Sequence, residues 1–314
     1  MQSQCCVGID VSKRFWDVAV AGRAGVRRFG AGEAGLVELS AWMARREPTL
    51  VCVEATGGYE SLLVNGLHAH GVPVAVVNPR QVRDFARAAG QLAKTDAIDA
   101  AVIALFADKM DPEPTEPPSE NQLRLKSLRA RRQQVQQMLT QEKNRLATAR
   151  DPVIRESIRR AIEFYQEQLK QIDEQLARLT RDDHEFRQRY ELLVTVPGVG
   201  ASTATGLIAE LPELGCMNRG QAAKLVGVAP INRDSGTLRG KRMIGGGRTQ
   251  VRQSLYMATL VATRFNPIIR DHYQQLIARG KAKMIALVAC MRKLLLILNA
   301  MIKHQTPWNS TING

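Results

Sequence analysis

The apolar positions of this chain change period twice along its length. Cys5 to Asp10 is a short apolar run ending at an acid, and alternation resumes through Trp16, Val18 and Val20. A turn at Gly22 to Gly25 and a further run, Val26 to Phe29, complete a prediction of two or three antiparallel strands. Leu36, Leu39, Trp42 and Met43 then recur at helical spacing between Ala34 and Arg45. Leu50 to Val53 is continuously apolar, as in a strand buried on both faces, and stops at Glu54. Ala55-Thr56-Gly57-Gly58-Tyr59 reads as a turn before a helix that reaches His70, and Val72 to Val77 as another buried strand, stopped by Asn78-Pro79. A helix from Gln81, a loop from Gly90 to Lys94, and a helix opening near Thr95 with Ile98, Val102, Ile103, Leu105 and Phe106 finish this part.

The order βββαβαβα, antiparallel strands first and crossover helices later, predicts an α/β domain of the ribonuclease H-like kind. In such a sheet the acids fall at useful places. Asp10 ends the first strand and Glu54 the fourth, and the ends of neighbouring central strands lie together. Asp96 and Asp99 are three apart, so both leave one face of a helix within a turn. Close carboxylates repel unless a divalent cation lies between them. Four such acids suit two magnesium ions, about 3.5–4 Å apart, clamping a phosphate. Each acid also has a plainer reading. Asp10 can form a turn, Glu54 can cap the next helix, and Asp96 and Asp99 can complement a helix dipole. Glu60 reads as an exposed helical residue. Gly8-Ile9-Asp10 also resembles the opening of sugar kinases and actin-like ATPases. Those need a second glycine-rich phosphate loop after an acid, and Gly245-Gly246-Gly247 follows basic residues with no such acid.

Asp111-Pro112-Glu113-Pro114-Thr115-Glu116-Pro117-Pro118 is hostile to helix and predicts a domain boundary. Beyond it the period lengthens. Leu128, Arg132, Val135, Leu139, Glu142, Leu146 and Ala149 alternate steps of four and three, and Asp151-Pro152 breaks the run. Ile158, Ile162, Tyr165, Leu169, Ile172, Leu176 and Leu179 repeat the spacing. The pattern predicts an all-α, coiled-coil helical hairpin about 60 residues long. It serves either as a rigid spacer or as a dimerisation element, and its polar first arm calls for a partner chain or nucleic acid. Leu192 to Val196, Pro197-Gly198-Val199-Gly200 and a helix from Ala201 to Leu211 read as a helix-hairpin-helix, whose Gly198 and Gly200 would offer backbone N–H groups to phosphate. An ordinary helix–helix turn fits the same residues. After Gly227-Val228-Ala229-Pro230 comes a loop with Ser235-Gly236-Thr237 and the cations Arg239, Lys241, Arg242 and Arg248. Ser235 is a candidate nucleophile there, or the loop grips phosphate without chemistry. A helix from Gln250 to Arg264 presents Arg252 and Arg264.

Charge sharpens this. The chain carries a net +14 over 314 residues, distributed as −3 in residues 1–120, +4 in 121–186 and +13 in 187–314. A near-neutral front and a strongly basic back predict a polyanion binder, most simply of nucleic acid. Five scattered cysteines without CxxC or Cys/His spacing argue against structural zinc. No secretory pattern opens the chain, and Met284 to Met301 is interrupted by Arg292 and Lys293, so a buried helix, no membrane and a cytosolic location are expected.

Gly8-Ile9-Asp10-Val11-Ser12-Lys13, Val53-Glu54-Ala55-Thr56-Gly57-Gly58-Tyr59, Asn78-Pro79 and Lys94-Thr95-Asp96-Ala97-Ile98-Asp99-Ala100, followed by Val196-Pro197-Gly198-Val199-Gly200, Gly227 to Pro230, Ser235-Gly236 and Arg239-Gly240, resemble in order the motifs of the bacterial insertion-sequence transposases named for their DEDD acids, relatives of the Piv DNA invertases. The resemblance implies a RuvC-like domain over 1–118, a coiled coil over 119–186 and a transposase domain with a serine over 187–314. It implies Mg²⁺ held by Asp10, Glu54, Asp96 and Asp99, strand exchange through a phosphoserine at Ser235, and a structured bridge RNA guiding double-stranded element ends and target DNA. It also implies a homo-oligomer, a dimer or tetramer. Thr237 is the next hydroxyl after the serine. Two other functions fit the same residues, a junction-resolving nuclease using metal-activated water and a non-catalytic nucleic-acid binder.

Overall fold

The computed structural model describes residues 5–90, 96–231 and 243–310, without the side chains of 96–98. The early alternation becomes β1 (Cys6–Val11), β2 (Phe15–Val20) and β3 (Val26–Gly30), followed by α1 (Glu33–Ala44), β4 (Leu50–Glu54), α2 (Ser61–Ala69), β5 (Val74–Val77), α3 (Pro79–Ala88) and α4 (Asp96–Met110). The strands form one sheet in the order β3-β2-β1-β4-β5. The first three are antiparallel, and β1–β4 and β4–β5 are parallel. Period two decides which side chains go where. Val7, Ile9, Val11, Val51 and Val53 face a core with Leu36, Leu39, Trp42, Leu63 and Leu67 of α1 and α2. Cys6, Leu50 and Cys52 face the other, with Val82 of α3 and Ile103, Phe106 and Ala107 of α4. Phe85 and Phe106 meet edge to face at 5.5 Å, fixing α3 against α4.

The proline-rich stretch after α4 is more than a tether. Thr115 N–H donates to Val74 O at 2.8 Å, and Thr115 Oγ1 accepts from Val76 N–H at 3.0 Å. These bonds satisfy backbone groups of β5, the outermost strand, which would otherwise be open to another chain. The chain divides into two compact units, Met1–Pro118 and Ser119–Gly314.

The second unit is helical: α5 (Glu120–Thr148), α6 (Pro152–Asp182), α7 (His184–Val194), α8 (Ala201–Glu210), α9 (Arg219–Val226), α10 (Thr249–Phe265), α11 (Pro267–Ala278) and α12 (Lys283–His304). Helices α5 and α6 run antiparallel, as the cross-links Arg132–Asp173 and Asn121–Asp183 require. Their turn is made by Asp151, which caps α6 through Val153 N–H and Ile154 N–H, with Pro152 in the first turn. Val135, Leu139, Leu169, Ile172 and Leu176 are buried along the seam, while Leu146 and Ile158 near the turn are only half-buried. The polar seam position Arg132 is satisfied within the hairpin, with Asp173 at 2.6 and 3.0 Å. Helix α12, apolar enough by length and composition to cross a membrane, instead packs against α7, α9, α10 and α11 and buries Cys290, Leu294, Leu298 and Met301. Its buried Asn299 accepts from Gly215 N–H and donates to Met217 O, both at 2.8 Å.

Candidate nucleic-acid-processing site

The register of β1 and β4 pairs Ile9 with Val53, so Asp10 and Glu54 follow as neighbours on adjacent parallel strands. Alternation puts both on the side of the sheet that carries Cys6, Cys52 and α4. Adjacent strands lie about 4.8 Å apart, which places the two carboxylates side by side. On the other flank of β1, Asp17 stands opposite Asp10 across the antiparallel pair, and so on the same face. Asp17 is buried and paired to Arg28 of β3 through two hydrogen bonds of 2.8 Å. Three acids therefore form one row across the sheet, and the outer one is neutralised by arginine. Asp17 carries no local signal of its place in this row. Its signal lay in the hairpin register, which sets residue 17 against residue 10.

Gly8 explains how α4 reaches this row. A Cβ there would fall 2.1 Å from Ala104 N and 2.5 Å from Ala100 O, so only glycine lets the helix backbone lie on β1. Cys6 packs with Ile103, Phe106 and Ala107, toward the helix C-terminus, so α4 runs antiparallel to β1. Two strand residues advance about 6.6 Å, the length of about four helix residues. Asp10 is thereby level with the first turn of α4, which carries Asp99 and the backbone of Asp96. Asp10, Glu54 and Asp99 all engage partners in this structure. Among the described residues no group of three or more Asp, Glu, His or Cys side chains could hold a metal ion; the Asp96 side chain lies outside them. The all-oxygen donor set of the four acids suits a hard cation such as Mg²⁺ in its chemistry.

Leaving β4, the chain turns sharply through Gly57 (φ 83°) and Gly58 (φ 129°), backbone conformations open to glycine. Glu60 holds this turn, accepting from Thr56 N–H at 3.1 Å, Thr56 Oγ1 at 2.7 Å and Gly58 N–H at 2.8 Å. Burial works against its carboxylate, but these hydrogen bonds outweigh it and hold the pKa below the ordinary glutamate value. Glu60 is thus a fastener of the loop beside Glu54, not the exposed helical residue expected. The Cys52 thiol beneath this face offers no competing nucleophile: burial pushes it up to about 12.

In the second unit, Gly198 adopts φ 103° and packs on α10, where a Cβ would sit 2.8 Å from Ala262. Gly200 precedes α8 with open space beside it and no side-chain cap on that helix. Arg248 and Arg252 are committed within the fold. Arg248 pairs with Glu213 through bonds of 2.6 and 2.5 Å and donates to Glu210 O at 2.9 Å. Burial disfavours the Glu213 carboxylate and Arg248 more than compensates, lowering its pKa. Arg252 donates to Gly246 O at 2.6 Å and Val226 O at 3.2 Å. Both arginines therefore hold the irregular stretch that follows Met243, a residue that itself bridges to Ile231. Ser235, Thr237, Arg239, Lys241 and Arg242 lie outside the described residues.

Comparison with known proteins gives this arrangement a family. Residues 7–151 match the model of the IS110-type DEDD transposases, described as a transposase. Residues 190–274 match that of the IS116/IS110/IS902 transposase family. The pilin gene-inverting proteins of Moraxella lacunata and Moraxella bovis are each 27% identical over 321 residues, covering 99% of this chain and 99% of theirs. An uncharacterized 43.6 kDa protein of insertion element IS110 from Streptomyces coelicolor is 28% identical over 121 residues, 38% of this chain and 30% of its own. The order of motifs, the two matched regions and the end-to-end likeness to the gene-inverting proteins converge: this chain belongs to the IS110-type transposases and recombinases, enzymes of DNA recombination.

Proposed function

We propose that the chain is an RNA-guided DNA recombinase of an insertion sequence. It would cut and rejoin strands through a serine ester with the help of four acids, acting in the cytosol as a dimer or tetramer on double-stranded DNA with a bridge RNA. The observation that carries this reading is the placement of Asp10 beside Glu54 on one face of the sheet, level with the first turn of α4. The strand order β3-β2-β1-β4-β5 supports a RuvC-like, ribonuclease H-like reading of residues 1–118. The helical hairpin of α5 and α6 supports a coiled-coil role for 119–186, and the α7–α8 turn supports a helix-hairpin-helix in the transposase domain, 187–314.

Asp10, Glu54, Asp96 and Asp99 would hold Mg²⁺, which would supply Lewis-acid polarisation of the scissile phosphate. The chain's own residues do the rest. Glu60 keeps the loop after Glu54 shaped, and Arg28 neutralises Asp17 so that the row is not overcharged. Ser235 Oγ would form an ester bond to phosphorus as the bond from phosphorus to one bridging DNA oxygen breaks; the proton lost by the serine is balanced by the one that oxygen takes up as it leaves as a DNA hydroxyl. Arg239, Lys241 and Arg242 offset charge on the phosphate. Gly198, Gly200, Arg248 and Arg252 belong to the surrounding nucleic-acid interface, the two arginines by holding residues 246–248 against α9 and the α8–α9 connection.

The acid assignment is tested by Mg²⁺-dependent cleavage of labelled DNA. Asp10→Asn and Asp99→Asn should fold like wild type and lose cleavage by about 10²-fold or more. Full activity in either variant would remove that residue from the site.

A further inference from the structure

The helical unit contains a cleft of about 530 Å³ among α5, α6, α7 and α8, lined by Arg129, Arg132, Arg181 and Arg187. The acids on its wall are Asp173 and Glu191, and Asp173 is already occupied by Arg132. Arg129 is the unusual member. Its guanidinium lies along α8, with Nη1 3.3 Å from Ser202 Oγ. Gly206 makes this possible, since a Cβ there would stand 2.7 Å from Arg129 Nη2. Its Nε is buried with no hydrogen-bond partner among the described residues. Burial, reinforced by Arg132, pulls the guanidinium below its usual pKa, which only partly yields to Glu210 and Asp173. A half-buried cation with one buried, unpartnered donor gains from an anion that completes it.

The opening of the cleft supplies what an anion would need. Ala201 and Ser202, in the first turn of α8, form part of its wall, and that helix has no side-chain cap. Free N–H groups and the positive end of a helix dipole attract phosphate. Arginine adds planar donors that match phosphate oxygens. Leu176, Ala177 and Tyr190 add apolar surface beside Thr180 and Thr205, so the space takes a phosphate together with part of the sugar or base attached to it.

We propose that this cleft seats a phosphodiester of a nucleic-acid backbone, with Arg129 beneath it, Arg181 and Arg187 at its rim and the first turn of α8 as its second wall. The inference rests on the nucleic-acid reading given above and adds a site distinct from the acid row. It also accounts for Gly206, whose absence of a side chain serves Arg129 alone among the contacts it would otherwise meet closely.

The test is fluorescence polarisation of the full chain with fluorescein-labelled single-stranded DNA, RNA and duplex DNA of one sequence, across a series of salt concentrations. Ser202→Glu is the main variant. A carboxylate in the first turn suits the helix dipole, so the protein stays folded, yet the new charge engages Arg129 and repels phosphate. Arg129→Gln is its partner, and Arg279→Gln, an exposed change of equal charge in the same unit, is the control. Ser202→Glu and Arg129→Gln should weaken at least one probe about tenfold and lower the salt slope by about one phosphate contact, whereas Arg279→Gln changes affinity about twofold at most. An effect confined to DNA or to RNA identifies which polymer is seated. If Arg129→Gln melts far below wild type, Ser202→Glu alone decides. Wild-type affinity and slope in folded Ser202→Glu would overturn the proposal while leaving the nucleic-acid reading intact. Failure of wild type to bind any probe would remove both. Unchanged polymer binding, with inorganic phosphate raising the melting temperature of wild type but not of Ser202→Glu, would mark a free-anion site and overturn the backbone assignment.

Discussion

Glu60 and Asp17 show how much of this site depends on residues that do no chemistry. The folded pKa of Glu60 is depressed, so its contribution is present above the unfolded carboxylate value of about 4.3 and lost as pH falls through the lower folded value. Glu60→Gln should therefore cost about 1 kcal/mol or less at neutral pH, given the partial exposure of the loop, and remove part of the acid sensitivity of unfolding below about pH 4.3. Thermal melts of both proteins from neutral pH into that window would check it, and parallel curves would contradict it. Asp10 and Glu54 were legible in the sequence because a strand-ending acid after an apolar run is a local signal. Asp17 was not, because its meaning depends on a partner eleven residues away and on register. The commitments of Arg248 and Arg252 were hidden for the same reason: charge can be read from sequence, but a bond to Glu213 or to a carbonyl requires the fold.

Among the elements, α4 on β1 is the contact on which the site depends. Gly8→Ala would drive a methyl into the backbone of Ala100 and Ala104, so the helix must lift. Such overpacking against main chain should cost about 3 kcal/mol or more and cut cleavage even though every acid remains. A Gly8→Ala protein with wild-type melting and cleavage would show that α4 does not set the acids' geometry. In the helical unit, Asn299→Leu should cost about 2–4 kcal/mol by stranding Gly215 N–H and Met217 O in the core, as measured by denaturant unfolding. The strands and long helices followed from period, because an amphipathic pattern over many residues outweighs local ambiguity. Helices α9 and α11 did not, since α9 has only eight residues and α11 follows α10 with only Asn266 between them. Their start signals were nevertheless present: the capping box of Asn218 with Gln221, and Asn266 before Pro267.

On the scale of the whole molecule, charge and chemistry are divided between the two compact units. Residues 1–120 carry −3 and the acid row, while residues 187–314 carry +13 and the proposed serine. Nucleic-acid affinity should accordingly reside mainly in 119–314 and fall steeply with salt, because each phosphate contact releases counterions. Equal affinity of fragment 1–118 at matched salt would contradict that division. Family membership was legible because its motifs are short, ordered and spread over most of the chain; the subunit arrangement leaves no comparable local signal. In the proposed reaction the acids and Ser235 act together to transfer a strand rather than hydrolyse it. The direct measurement is a denaturing gel of end-labelled DNA bearing the element boundary, incubated with wild type, Asp10→Asn and Ser235→Ala, each with its co-purified RNA and Mg²⁺. Wild type should give a protein–DNA adduct, and both variants should bind the DNA yet give none. An adduct surviving in Ser235→Ala would move the nucleophile, to Thr237 first, and free cleaved ends without any adduct in wild type would contradict strand transfer.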